Sequence, residues 1–145
     1  MSVPRPRRNE NKLQALKDAE EAISYIVLMC NNENCIPKKF RWSLANRIID
    51  EGINLILNIS EANKIRAKTV KEYEERINKQ TLAIESMNRI WVILTLIEKT
   101  IPMEVRKLDK CCELLYKSEV TLVGWKQSDV TKYKKLLAEN AKSIK

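Results

Sequence analysis

The side chains of this sequence that could carry chemistry are four cysteines and two pairs of adjacent carboxylates. They are Cys30, Cys35, Cys111 and Cys112, together with Asp50-Glu51 and Glu74-Glu75. The 145-residue chain contains no histidine, which excludes Ser-His-Asp and Cys-His nucleophile pairs and every metal site built on imidazole. Most hydrolase chemistry is excluded with them.

The same residues do not match the spacing of a known metal centre. A di-iron helical bundle needs a Glu-x-x-His motif on two helices, and a structural zinc site needs the C-x₂-C rhythm. We therefore expect no metal and no cofactor, solvated carboxylates, and buried thiols rather than disulfides. One alternative stays open, because Cys35 and Cys111 or Cys112 are predicted to lie toward the same end of the molecule and could form a metal or redox site there.

The composition indicates which elements must position these residues. Only two glycines and four prolines occur, so turns are few, helices are long, and the predicted fold class is all-α. Apolar residues recur at helical spacing over four segments, about 11–31, 38–62, 69–99 and 103–125. Short connections between four such helices predict one domain, residues 12–126, folded as an up-down-up-down antiparallel four-helix bundle.

Local signals set the expected boundaries. Asn11 is a plausible N-cap for the first helix, and Thr69 with Glu72 fits a capping box that opens the third. Gly124 and Trp125 predict the end of the fourth helix. We expect residues 1–11 to form a disordered basic arm and residues 127–145 a basic tail, in which Tyr133, Leu136 and Leu137 could form a short helix.

The second helix has two apolar rows where a helix buried on one side needs only one. The first row contains Leu44, Ile48, Leu55, Ile59 and Ala62. The second contains Ala45, Ile49, Ile53 and Ile56. Because three bundle neighbours cannot cover both rows, we expect a homo-oligomer. Gly52 lies inside this helix, where glycine costs about 1 kcal/mol unless close helix packing offsets it.

Charge is distributed unevenly along the predicted bundle. The chain has 27 Lys plus Arg against 19 Asp plus Glu, a formal net charge of +8 and a pI near 9.4. The predicted topology places the connection between helices two and three beside both termini, and this end has a large excess of basic residues. A dense basic surface attracts nucleic acid through the phosphate backbone. The alternative is that the lysines only keep a small bundle soluble.

The three tryptophans, Trp42, Trp91 and Trp125, lie at helical spacing and are expected to fill the core or an interface. Base stacking is a further possibility for Trp42, since it neighbours Lys39 and Arg41. No run of about 18 apolar residues predicts a membrane span, and the first residues are basic without an apolar stretch behind them. We expect a soluble, cytoplasmic protein with no membrane partner.

Two stretches carry a resemblance to a known family. They are Ile36-Pro37-Lys38-Lys39-Phe40-Arg41-Trp42-Ser43-Leu44-Ala45-Asn46-Arg47-Ile48 and Ser60-Glu61-Ala62-Asn63, with Gly124-Trp125 near the end of helix four. The chain resembles the four-helix-bundle accessory variability determinants of diversity-generating retroelements. The resemblance lies in the Pro-Lys-x-x-Arg motif at the start of helix two, the Leu-x-x-Arg-Ile motif after it, and the Ala-Asn pair at the end of that helix. Proteins encoded in intervening sequences of bacterial large-subunit ribosomal RNA belong to the same wider family.

For the retroelement branch, the resemblance implies a homopentamer that binds the element's reverse transcriptase and nucleic acid during mutagenic copying of a template RNA. Carried over by position, Lys38, Lys39, Arg41 and Arg47 match the family's basic start of helix two. The charge argument adds Lys64, Arg66, Lys68 and Lys71. Together these eight residues are the predicted nucleic-acid-binding residues, for template RNA or cDNA.

Two other functions remain open at this stage. The chain could be an oligomeric adaptor that binds only protein, or a ribosomal-insertion type of bundle whose activity is not settled. A metal or redox bundle that uses the cysteines is the third and weakest hypothesis.

Overall fold

The structure is a computed structural model that describes residues 13–144. The predicted basic arm, residues 1–11, and the predicted N-cap Asn11 lie outside the described residues. Four helices make up the described chain, which contains no strand: α1 (Gln14–Asn31), α2 (Asn46–Lys64), α3 (Val70–Thr100) and α4 (Val105–Ile144). The predicted all-α class is therefore confirmed for residues 13–144.

The four helices pack side by side into one bundle. α1 contacts α2 and α4, while α3 contacts the same two helices from the other side. The core between them is mainly apolar, although Asp18, Gln80, Ser86, Ser118 and Asp129 are also buried. Its largest fully buried hydrophobic side chains are Ile26, Ile48, Leu55, Ile59, Met87, Ile90, Ile97, Leu115 and Leu122. No helix within residues 13–144 has both the length and the apolarity needed to cross a bilayer.

The two apolar rows of the second helix are covered to different extents. All five members of the first row are buried, as a core-facing row requires. In the second row Ala45 is buried and Ile49 and Ile56 are half-buried, whereas Ile53 is 46% exposed. The bundle thus leaves part of this row uncovered.

The start of the second helix differs from the prediction of a regular helix from Lys38. A 3₁₀ turn, Lys38–Phe40, leads into a π-helical turn, Arg41–Ala45, and the α-helix begins only at Asn46. Pro37 disfavours helical geometry for the residue before it. The π-helical turn, with its i→i+5 hydrogen bonds, is wider than an α-helical turn, so the regular helical period begins only after it. Leu44 and Ala45 still reach the core.

The third helix begins as its sequence predicts. The backbone N–H of Glu72 donates to Thr69 Oγ1 at 3.2 Å, and the N–H groups of Thr69 and Lys68 donate to Glu72 Oε1 at 3.0 and 3.1 Å. These backbone hydrogen bonds, that from Thr69 first, lower the pKa of Glu72 below its usual value. The capping box is confirmed, and it fixes where the connection from α2 ends.

The fourth helix does not end near Gly124 and Trp125. It continues unbroken to Ile144, so the predicted tail from residue 127 is part of a 40-residue helix in the described chain. Gly124 has no positive φ, and it therefore acts as an ordinary helical residue rather than a C-cap. Contacts between α4 and α3 beyond this point, described below, offset the weak helix propensity of glycine.

The two glycines give a matched test of packing. A Cβ atom at Gly52 would lie 2.8 Å from Ile23 Cγ2, whereas one at Gly124 would meet nothing within 4 Å. Ile23 is 3% exposed and β-branched, so it cannot turn aside easily. Close packing of α1 on α2 is therefore the reason for glycine at position 52.

We expect Gly52→Ala to lower the free energy of unfolding by about 1 to 2 kcal/mol, because overpacking outweighs the gain in helix propensity. Gly124→Ala, the matched control, should raise it by about 1 kcal/mol. Urea denaturation followed by circular dichroism measures both. Equal stabilisation by the two substitutions would contradict the packing argument.

Candidate nucleic-acid interface

Arg76 joins three parts of the chain at one end of the bundle. From α3, its Nε and Nη2 donate to the two carboxylate oxygens of Asp129 on α4, at 3.0 and 2.9 Å. Its Nη1 donates to the carbonyl of Ile65, in the connection between α2 and α3, at 2.8 Å. One guanidinium therefore fixes this connection relative to α4.

Asp129 is the acceptor at the centre of this arrangement. The residue is 1% exposed, and Gln80 Nε2 donates to its Oδ2 at 2.7 Å. The bidentate geometry matches the fork of the guanidinium to the carboxylate. The rings of Tyr73 and Trp125 lie 5.7 and 6.0 Å from the Arg76 guanidinium carbon and flank the pair.

A second contact holds the turn of α4 that follows. The Tyr133 hydroxyl donates to Glu74 Oε1 at 2.9 Å, and this hydrogen bond raises the pKa of Tyr133. The turns of α4 that carry lysines are therefore held beside the first turns of α3. The predicted short helix at Tyr133 is part of α4 instead.

This arrangement collects exposed cations at one end of the molecule, which we call the basic end. Its members are Lys64, Arg66, Lys68, Lys71, Lys132, Lys134, Lys135 and Lys142, all exposed. Within residues 13–143, none of the eight forms an ion pair. Their charges are directed to solvent.

Several acidic side chains nearby are bound to the protein itself. Asp129 is held by Arg76, Glu72 closes the capping box, and Glu61 Oε2 lies 2.8 Å from Lys79 Nζ. The hydrogen bond from Lys79 is the main cause that lowers the pKa of Glu61. Asp129 and Glu61 are therefore paired with cations outside the basic end, whereas Glu72 keeps its charge beside Lys68 and offsets part of the positive excess.

The other four predicted binding residues lie elsewhere. Lys38, Lys39, Arg41 and Arg47 are exposed at the start of the second helix. α2 has 19 residues and spans roughly 28 Å at about 1.5 Å per residue, so the two sets are at opposite ends of it. The structure brings the eight residues together as two clusters rather than one.

The second set lies close in sequence to an exposed tryptophan. We call these four residues, together with Trp42, the Trp42 cluster. Trp42 is 81% exposed, so it does not fill the core, and its expected place at an interface or in base stacking stays a prediction. Lys39 Nζ lies 5.3 Å from the centre of the Phe40 ring, and Lys38 pairs with Glu33 at 3.2 Å. Trp91 and Trp125 are half-buried against the core.

One carboxylate of each adjacent pair makes a contact of its own, and the cysteines form no metal site in the described chain. No group of three or more metal-ligating side chains occurs in the part of the chain that the structure describes. Glu51 Oε2 accepts from Arg89 Nε at 2.8 Å, and Glu74 accepts from Tyr133. The cysteines are free thiols, of which Cys112 is half-buried and the other three are buried as predicted.

The sequence alone missed the contacts that organise the basic end. Arg76 and Asp129 lie 53 positions apart, and an isolated arginine and aspartate give no signal that they will pair. One sequence feature could have indicated this pairing. Asp129 continues the row of Leu115 and Leu122 at seven-residue spacing, where an apolar residue is expected, and a carboxylate at a buried position needs a partner.

Comparison with known proteins adds no assignment. The sequence matches none of the family models with which it was compared, and a search of curated proteins returns no match either.

The buried carboxylate gives a test of how the basic end is held. Asp129→Asn removes the negative charge that Arg76 needs while keeping the side-chain shape, and we expect the free energy of unfolding to fall by about 3 kcal/mol. The control Asp109→Asn changes an exposed carboxylate on the same helix and should stay within about 0.5 kcal/mol. Equal stabilities in urea denaturation would contradict the role given to Asp129.

Proposed function

We propose that this chain is a non-catalytic, cytoplasmic accessory protein of a diversity-generating retroelement. In this proposal it binds template RNA or cDNA through basic surface and docks the element's reverse transcriptase, which performs the catalysis. The retroelement and the reverse transcriptase come from the resemblance of the residues around Pro37–Ile48 and Ser60–Asn63. The observation that supports nucleic-acid binding is the basic end, with eight exposed cations that form no ion pair among residues 13–143.

The bundle topology in this proposal is up-down-up-down. Its support comes from paired contacts whose residue numbers run in opposite directions. Between α2 and α3, Glu51 meets Arg89 and Glu61 meets Lys79. Between α3 and α4, Arg76 meets Asp129, while Trp91 Nε1 donates to Glu119 at 3.1 Å.

The α1 and α4 contacts follow the same rule. Lys117 Nζ lies 3.7 Å from Asp18 Oδ1, and the Tyr25 hydroxyl donates to the Lys107 carbonyl at 3.2 Å. An antiparallel arrangement of all neighbours places the α2–α3 connection and the end of α4 together, as the basic end requires.

Binding at the basic end is electrostatic and independent of base sequence. Each phosphate contacted by a lysine or arginine releases condensed counterions, so affinity falls as salt rises. Lys64, Lys71 and the lysines of α4 are held on helices, and cations held in this way lose less conformational entropy on binding than cations on a disordered tail. This favours a surface that binds a phosphate backbone over one that only confers solubility.

Charge reversal at the basic end tests this assignment. We expect the variant with Lys64→Glu, Arg66→Glu, Lys68→Glu and Lys71→Glu to bind two unrelated single-stranded RNAs at least about tenfold more weakly. The slope of log K against log salt should fall by about 0.7 for each phosphate that the variant no longer neutralises. Fluorescence titration at several salt concentrations measures both quantities.

The Trp42 cluster provides the matched control for that experiment. Reversal of Lys38, Lys39, Arg41 and Arg47 to Glu changes the net charge by the same amount at the opposite end of α2. A larger loss of affinity in this second variant would move the interface to the Trp42 cluster. Unaltered binding in both variants would overturn the assignment of the interface to either cluster, and a wild-type protein that binds neither RNA would favour the adaptor that binds only protein.

The adaptor remains the second candidate because one exposed apolar stripe favours it. On the outer face of α4, Tyr116, Val120 and Val123 are 63%, 51% and 45% exposed. Residues at this spacing lie on one helix face, which is how a helical partner would be met. Binding that is insensitive to salt would indicate this function.

The oligomer is also part of the proposal, and the resemblance gives its number as five. A groove of about 520 Å³ between α1 and α2 is lined mainly by apolar side chains, together with Glu20 and Ser24. Its apolar members include Leu28, 72% exposed, and Ile53, 46% exposed. This groove contains the uncovered part of the second apolar row. Covering it with a second copy removes apolar surface from water.

We therefore expect light scattering to give a mass that is a multiple of the 16.9 kDa chain mass. Leu28→Glu with Ile53→Glu should shift the protein toward the monomer. The control pair Val92→Glu with Leu96→Glu alters exposed apolar residues of α3 and should leave the mass unchanged. A monomeric wild-type protein at micromolar concentration would contradict the proposed oligomeric state.

A further inference from the structure

One cysteine lies beside a lysine at the end of the bundle opposite the basic end. Lys107 Nζ is 3.2 Å from Cys35 Sγ. Cys35 is in the connection after α1, where its backbone N–H donates to the Asn32 carbonyl at 2.9 Å. Lys107 is on the first turn of α4, and the Tyr25 hydroxyl donates to its carbonyl at 3.2 Å. Both partners are therefore held by further hydrogen bonds.

A cavity gives access to this pair. It has a volume of about 180 Å³ and is lined by Tyr25, Leu28, Met29, Asn32, Cys35 and Lys107. Cys35 is only 4% exposed, so a reagent must be small enough to enter the cavity to reach the sulfur. A peroxide molecule fits this condition, since it is little larger than two water molecules.

Within residues 13–144, none of the other three thiols has a lysine or arginine at hydrogen-bonding distance. Burial raises the pKa of Cys30 and of Cys111 to about 12, and it also raises the pKa of Cys112. The neutral thiol is a poor nucleophile, whereas an adjacent cation favours the thiolate. Hydrogen bonding to Cys35 in turn raises the pKa of Lys107, which keeps the ammonium charged.

The groups around the pair leave Lys107 as the dominant charge. Tyr25 and Cys30, on α1, interact with the pair, and Cys111, on α4, interacts with both of them; all three have raised pKa values and are therefore neutral at pH 7. Glu104, before α4, is the acid that interacts with Lys107, and it lies 3.9 Å from Arg106. The ammonium of Lys107 is closest to the sulfur.

We propose that Cys35 is a peroxide-reactive thiol, activated by Lys107 and reached through the cavity. The thiolate sulfur attacks one oxygen of hydrogen peroxide, the S–O bond forms and the O–O bond breaks. Sulfur loses two electrons, and the leaving hydroxide takes a proton to become water. The product is Cys35 sulfenic acid, which thiols can reduce back. This inference is independent of nucleic-acid binding.

The test compares four thiols within one protein. Full-length reduced protein is treated at pH 7 with hydrogen peroxide and dimedone, and the labelled positions are assigned by fragment-ion mass spectrometry. We expect Cys35 to be labelled at least about tenfold faster than Cys30, Cys111 or Cys112. In denaturant the four rates should converge, because the difference comes from the folded environment. Fastest labelling of Cys112, or equal rates in the native protein, would overturn the proposal.

Variants of Lys107 separate activation from simple access. Lys107→Gln should slow labelling of Cys35 about tenfold, and Lys107→Arg should retain most of the rate. Lys110→Gln removes a neighbouring exposed cation that pairs with Glu113 and should have no effect. If Lys107→Gln disturbs the fold, Cys30 and Cys111 become labelled too, and the Lys107→Arg and Lys110→Gln rates then decide. Equal Cys35 rates in wild type and a folded Lys107→Gln variant would refute activation by Lys107.

Discussion

The contact of Arg76 with Asp129 determines the shape of one end of the molecule. A guanidinium and a carboxylate that leave water must find each other with good geometry, since an unpaired charge in the interior is strongly destabilising. Here the two hydrogen bonds are 3.0 and 2.9 Å, and a third from Arg76 holds the Ile65 carbonyl. An apolar replacement could match the stability of the pair, but it would not fix the α2–α3 connection against α4. The main effect of the Arg76–Asp129 pair is thus to fix the α2–α3 connection next to α4.

Positive charge at this end depends on the same geometry. Like charges that are brought together repel each other, so a cluster of exposed lysines costs stability in the free protein. The cost is reduced because all of these lysines are exposed, and water and salt screen their charges from one another. A polyanion that contacts the cluster removes the remaining repulsion, and binding then stabilises the fold. Charge that is unfavourable in isolation is a reason to expect a partner.

The features that could be predicted from the sequence are those set by nearby residues. Thr69 and Glu72 are three positions apart, and a capping box at that spacing needs nothing from the rest of the chain. The core row of the second helix was likewise predictable, since 3.6-residue periodicity reports which face is buried. The four-helix count followed from the same pattern and from the scarcity of glycine and proline.

Features set by distant residues were not predicted. Gly124 is a residue type common at helix ends, yet the helix continues because Asp129 and Tyr133 form hydrogen bonds with Arg76 and Glu74 on α3. Trp42 has the spacing of a core residue, but the irregular turns after Pro37 place it outside. The Lys107 and Cys35 contact joins positions 72 apart. At Gly124, tertiary packing thus overrides a local propensity of about 1 kcal/mol.

The unbroken course of α4 makes it a register lock between the two ends of the bundle. Lys107 is fixed near its start and Asp129 further along, and roughly 33 Å separate them at about 1.5 Å per residue. A slip of one residue would rotate the helix by about 100° and carry both side chains away from their partners at once. α4 therefore cannot slide past its neighbours in small steps. It therefore keeps the distance between the Cys35–Lys107 pair and the basic end constant.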